Sequence, residues 1–150
     1  MAVAALLVAS ATVQARDDRL LLTIEGALNK PEAKDRLDDT IQFFWGDAPY
    51  PAPDQTFGIF TMQRKTNALN KTDLEACDWA FLSALLALRD RAKEAGANAV
   101  VNIKSIYKNR EFRSETQYEC RAGYFATGVA LEGRIVLLPP PGVRSVAPGE

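Results

Sequence analysis

Apolar residues recur at helical spacing from Leu74 to Ala95, the most regular pattern in the chain. Taken at 100° per residue, Leu74, Cys77, Phe81, Ala84, Leu85, Leu88, Ala92 and Ala95 form one stripe that must face a sheet. Thr72 and Glu75 make an S/T-x-x-E capping box, which opens the helix at Asp73. Asp73, Glu75 and Asp78 near the start, and Arg89, Arg91 and Lys93 toward the end, match the helix macrodipole, and Gly96 supplies the stop. Trp79, Leu82 and Leu86 gather nearly opposite the stripe, where a surface helix would be polar. Two explanations stand. Either the N-terminal segment or the loop around Pro49–Pro53 covers this second face, or the face is an interface for a protein partner or a second copy of the chain.

Around this helix the pattern turns to strands. Arg19 to Leu28 has mixed periodicity and predicts a short strand or an extended arm. Pro31 suits a first helical turn, with Asn29 a candidate cap, so a short helix is expected over 31–37. Thr40 to Trp45 alternates, with Ile41, Phe43 and Trp45 on one face of a strand, and the proline-rich stretch 46–55 must be loop. Thr56 to Thr66 is apolar on both sides and predicts a buried strand. After Gly96, residues 97–107 form a strand whose alternation breaks near Ser105, as at a bulge. The polar stretch 108–115 then connects to a long return strand over 116–131, closing a long C-terminal hairpin. Cys120, Ala122, Ala126, Gly128 and Ala130 would share one face of that strand. Such small side chains admit a bulky helix, so this face is expected under the central helix. Residues 134–138 could add a short strand, and 136–150 read as a flexible tail.

The two ends and the charge balance alter the picture in one respect each. Ala2 to Ser10 is an uninterrupted run of small and apolar residues, too short to span a bilayer but suited to the h-region of a secretory signal. Val13 and Ala15 stand at −3 and −1 of a signal-peptidase site before Arg16, so residues 1–15 read as a signal peptide and 16–135 as a single exported domain. The net charge is −1, which provides no bulk attraction for nucleic acid or an anionic membrane. Nucleic acid is therefore not expected as a partner, and the chain is not expected to span a membrane.

Candidate chemistry is sparse. The chain has no histidine, which removes the commonest general base and metal ligand. It has neither a P-loop nor a G-x-G-x-x-G fingerprint, and without histidine it cannot build a Ser-His-Asp arrangement. No catalytic residue, metal ligand set or cofactor is expected. Asp35, Asp38 and Asp39 read as solvation of a helix end, and Trp45, Tyr107, Tyr118 and Tyr124 as sheet packing. The remaining chemistry lies in two cysteines. Cys77 is on the inward stripe of the helix and Cys120 on the small-residue strand face, so packing of those faces would bring them together, and an exported compartment would oxidise them. Such a bridge would stabilise the fold by roughly 4 kcal/mol in the chain-entropy model. Two separate buried thiols are the alternative.

The elements KTNA (Lys65–Ala68), EAC-WAFLSAL (Glu75–Leu85), GANAVVNI (Gly96–Ile103) and YEC-AG (Tyr118–Gly123) together carry a resemblance over roughly residues 16–135. The block resembles a family of small exported bacterial proteins often labelled "excinuclease ATPase subunit". That label implies DNA repair by a large ABC-type ATPase, which a chain without a P-loop or zinc-finger cysteines does not support. More distantly, a helix running into A-N-A-V-V followed by strands is similar to the Rcs envelope-stress lipoprotein sensor and to YbjQ-like domains. Those similarities imply an α+β fold with a helix on an antiparallel sheet, with disulfides in the first and oligomers or bound metal in the second. The expected protein is thus α+β, with one long central helix on a mostly antiparallel sheet. It is periplasmic and non-enzymatic, a binding or interaction module associated with the envelope, with Cys77–Cys120 bridged and Trp79, Leu82 and Leu86 as its candidate interface. A small-ligand or metal-binding domain is the alternative.

Overall fold

A computed structural model describes residues 15–142; the expected signal peptide, save Ala15, and the last part of the expected tail lie outside them. The elements are β1 (Asp18–Thr23), α1 (Ile24–Leu28), α2 (Pro31–Arg36), β2 (Gln42–Trp45), β3 (Gln55–Asn67), α3 (Asp73–Ala95), β4 (Ala99–Tyr107), β5 (Arg110–Phe112), β6 (Gln117–Ala122) and β7 (Ala126–Leu137). The strands form one seven-stranded mixed sheet in which β2 and β4 are the parallel pair and the other pairings are antiparallel. The fold is α+β, with α3 lying on one face of the sheet.

β7 is the spine. β3 runs along one edge of it for its full length, while β6 and β4 occupy successive stretches of the other edge, β6 at Thr127–Gly128 and β4 from Leu131 to Val136. The predicted return strand over 116–131 is therefore two strands broken by a turn at 123–125, and β4 pairs with β7 and with β5, not with β6. The polar connection after Tyr107 is itself a tight hairpin: Lys108 and Asn109 both adopt positive φ, and Arg110–Phe112 pairs back on β4.

The turn at 123–125 also moves the small-residue strip. Ala122 pairs with Thr127 and Arg121 with Gly128, so even-numbered positions of β6 share a face with odd-numbered positions of β7. Cys120 and Tyr118 do pack under α3, but they are continued by Val129, Leu131 and Ile135. Ala126, Gly128 and Ala130 lie on the opposite face, away from the helix. Core packing against α3 thus uses branched residues, where small ones were expected.

The helix follows its local signals. Thr72 Oγ1 accepts a hydrogen bond from the Glu75 N–H at 3.1 Å, and Gly96 closes the C-terminus in the left-handed region at φ 77°. Cys77, Phe81, Ala84, Leu85, Leu88 and Ala92 are buried against the sheet as the stripe predicts, while Leu74 at its first turn is half exposed. Phe81 links the layers by stacking on Trp45 and on Tyr118, at centroid distances of 5.6 and 4.3 Å.

Two strand expectations change. β3 is an edge strand: it pairs with β7 alone and leaves Ile59 exposed. A bulge at Gly58, with φ 119°, resets the alternation so that Phe57 and Phe60 both reach the core. The break in β4 is at Asn102 (φ 52°), earlier than Ser105, and places Val100 and Ile103 both in the core under α3. On the other face, Ala99, Val101, Val136 and Leu138 form a second small cluster under Phe44 and Tyr50. The domain therefore runs past the expected boundary at 135, since Val136 and Leu138 are buried. Nearer the N-terminus, the segment 19–28, read as a short strand or an extended arm, is a short strand to Thr23; Thr23 then caps α1 through the Gly26 N–H. Lys30, not Asn29, stands at the cap position of α2.

Candidate functional site

The second face of α3 is where the structure answers the sequence most directly. The N-terminal segment, through α1 and α2, lies on it; the Pro49–Pro53 loop instead sends Tyr50 to the cluster on the far side of the sheet. Ile24 and Ala27 of α1 are buried in the core cluster, Leu82 of α3 is buried, and Trp79 and Leu86 are half buried. The Arg36 guanidinium sits 5.5 Å from the centroid of the Trp79 ring, and Arg89 donates to the Arg36 carbonyl, tying α2 to α3.

This cover is incomplete. Between α1–α2 and the first half of α3 a groove of about 390 Å³ remains, walled in equal part by apolar residues, Leu74, Trp79 and Leu82 among them, and by polar ones such as Lys30, Glu32 and Glu75. Two of the three candidate interface residues, Trp79 and Leu82, line it, and Leu86 does not. The sequence pattern does not single out the one buried polar group of this groove. Asp78, counted there only as a helix-dipole charge, is 8% exposed and lines the same space.

Asp78 is held from below. The Tyr118 hydroxyl, fully buried on β6, donates to Asp78 Oδ1 at 2.8 Å. Burial, and then the Asp78 charge and hydrogen bond, push the Tyr118 phenol well above its ordinary value of 10.0, so the phenol stays protonated and remains the donor. Asp78 Oδ2 is buried with no hydrogen-bond partner among the described residues; Lys30 Nζ stands 3.8 Å away, an ion pair beyond hydrogen-bond reach. The signal for this arrangement was an acidic residue at the edge of an apolar helical stripe, adjacent to Cys77.

The adjacent cysteines lock the geometry. Cys77 and Cys120 form a disulfide, which fixes the first turns of α3 over β6 and so sets Asp78 above Tyr118.

A second concavity, of about 550 Å³, opens on the sheet face away from α3. Its floor is the displaced strip of Gly128 and Ala130, and Lys65, Tyr107 and Lys108 stand along its rim. Its Glu119 accepts from Arg121, which lines the cleft with it, and from Arg19 outside the cleft, each at 3.0 Å, and the Arg121 guanidinium lies 3.8 Å from the Tyr107 ring centroid. The Tyr107 hydroxyl donates to Asp17. Lys65 and Lys108 have no carboxylate within ion-pair distance among the described residues.

Elsewhere, Asp38 of the acidic cluster accepts hydrogen bonds from Lys93 and Thr40, which hold its carboxyl well below the usual range. Among the described residues, no group of three or more acidic, cysteine or histidine side chains is placed to hold a metal ion. No described helix is long and apolar enough to cross a membrane. Comparison with protein-family models, with curated proteins and with solved structures finds no match to this chain.

Proposed function

We propose that this protein is a non-enzymatic binding module of the cell envelope, and that its ligand lies in the groove between α2 and α3. The observation that carries the reading is the half-closed second face of α3. A helix face bearing Trp79 and Leu82 is covered by the chain's own α1 and α2 only in part, and the opening left joins apolar side chains to polar ones, among them one buried carboxylate, Asp78. A concave site in which apolar side chains meet convergent polar groups is a usual form of ligand site. A periplasmic setting is supported by the Cys77–Cys120 disulfide, which persists in an oxidising compartment, and by the expected leader before Arg16.

A neutral environment-sensitive dye such as Nile red tests the reading. The dye binds the folded protein one to one, Trp79→Ala weakens it at least fivefold, and Tyr124→Ala, at an exposed turn, leaves it unchanged. Dye affinity insensitive to Trp79→Ala contradicts the proposal.

A second reading has one observation in its favour. Lys65 and Lys108, uncompensated on the rim of the sheet-face cleft, suit a small anionic ligand there. Lys65→Glu together with Lys108→Glu would abolish such binding and leave the dye site untouched.

A further inference from the structure

The α2–α3 groove holds one acceptor that the described protein leaves unsatisfied. Asp78 Oδ1 is committed to Tyr118, while Oδ2 is buried and accepts no hydrogen bond. A buried carboxylate oxygen without a donor is costly, and a carboxylate can only accept. The one cation in reach, Lys30 Nζ at 3.8 Å, belongs to a side chain that is half exposed, so it stands at the mouth of the groove and does not seal it. Glu32 and Glu75 also line the groove and disfavour an anion.

Resting on the groove as the binding site, we infer that its occupant carries a protonated amine on an apolar chain. The ammonium donates to Asp78 Oδ2 in place of Lys30 Nζ, and the chain lies along Leu74, Trp79 and Leu82. A charge-assisted bond made inside a partly desolvated groove is stronger than one from a neutral hydroxyl, which is why the site selects an amine over an alcohol of equal length. The amine could belong to a free small molecule or to a lysine side chain of a partner protein; the recognised chemistry is the same.

The test is displacement of the bound dye by n-hexylammonium, 1-hexanol and hexanoate. Hexylammonium should compete at least tenfold better than hexanol, and hexanoate worst of the three. Asp78→Asn should remove the preference for the amine. Lys30→Ala, which leaves Asp78 in place and reports even should Asp78→Asn fold poorly, should strengthen hexylammonium several-fold by removing the internal competitor. Equal competition by hexylammonium and hexanol overturns the amine while leaving the groove as a site. A dye that binds without regard to Trp79 overturns both. A lysine-containing peptide run beside hexylammonium separates the two sources: tighter binding of the peptide supports a partner's lysine, and tighter binding of the alkylammonium supports a free amine.

Discussion

Replacing Tyr118 by Phe removes a single oxygen from beneath the proposed site, where it supports Asp78. The ring is 1% exposed and stacks on Phe81 at 4.3 Å, so a phenylalanine keeps the packing and opens no large cavity. What is lost is the 2.8 Å bond to Asp78 Oδ1, and with it the only hydrogen bond the buried carboxylate makes among the described residues. A hydrogen bond to a charged group contributes about 2 kcal/mol, and leaving the carboxylate with both oxygens unsatisfied moves the cost toward the upper end of that range. For a domain of this size about 2 kcal/mol corresponds to a fall in Tm of roughly 7 °C. Urea titrations of wild type, Tyr118→Phe, Asp78→Ala and the double variant complete a thermodynamic cycle, with an expected coupling of about 1.5 kcal/mol. A loss below about 0.5 kcal/mol for Tyr118→Phe, or a coupling near zero, would refute the claim that β6 holds Asp78 in place through this bond.

Replacing both cysteines with alanine opens the 43-residue loop and should cost about 4 kcal/mol by chain entropy, read as a lower urea midpoint that reductant no longer shifts. Because burial raises the Tyr118 phenol above its ordinary value, its contribution is complete below about pH 10 and is lost as pH rises beyond that. Stability followed to high pH should therefore fall more steeply in wild type than in Tyr118→Phe. Gly133→Ala would place a methyl group 2.4 Å from the buried Val100 Cγ1, and should destabilise by about 1–3 kcal/mol through overpacking, visible as a lower Tm with an unchanged far-UV spectrum.

The features legible in the sequence were those set by neighbouring residues. Thr72, Glu75 and Gly96 delimit α3 through bonds within four positions, so its ends could be read without knowledge of the fold. The cysteine pairing was legible because Cys77 lies on a clear helical stripe and Cys120 keeps its expected place under it. The face carrying Gly128 and Ala130 was misplaced because the turn at 123–125 inverts strand parity, and a run such as YECRAGYFATG has no proline or asparagine to mark the break. β3 looked buried because apolar residues on two sides of a strand signal burial, whereas here the Gly58 bulge turns Phe57 and Phe60 toward the same face and leaves Ile59 exposed. The groove itself was half visible. Trp79 and Leu82 stood out as apolar residues without a partner, but their relation to Asp78 and Lys30 depends on how α2 docks, a long-range contact that no local pattern encodes.

The ligand site proposed on the outer face of α3 is centred on Trp79. The chain has two tryptophans with contrasting places: Trp45 stacks on Phe81 in the core, and Trp79 lines the groove. Their indole N–H resonances can be followed separately in a ¹⁵N-labelled sample titrated with n-hexylammonium. The Trp79 resonance should move to saturation while that of Trp45 stays in place. A titration in which Trp79 does not shift, or in which Trp45 shifts alone, would contradict the account.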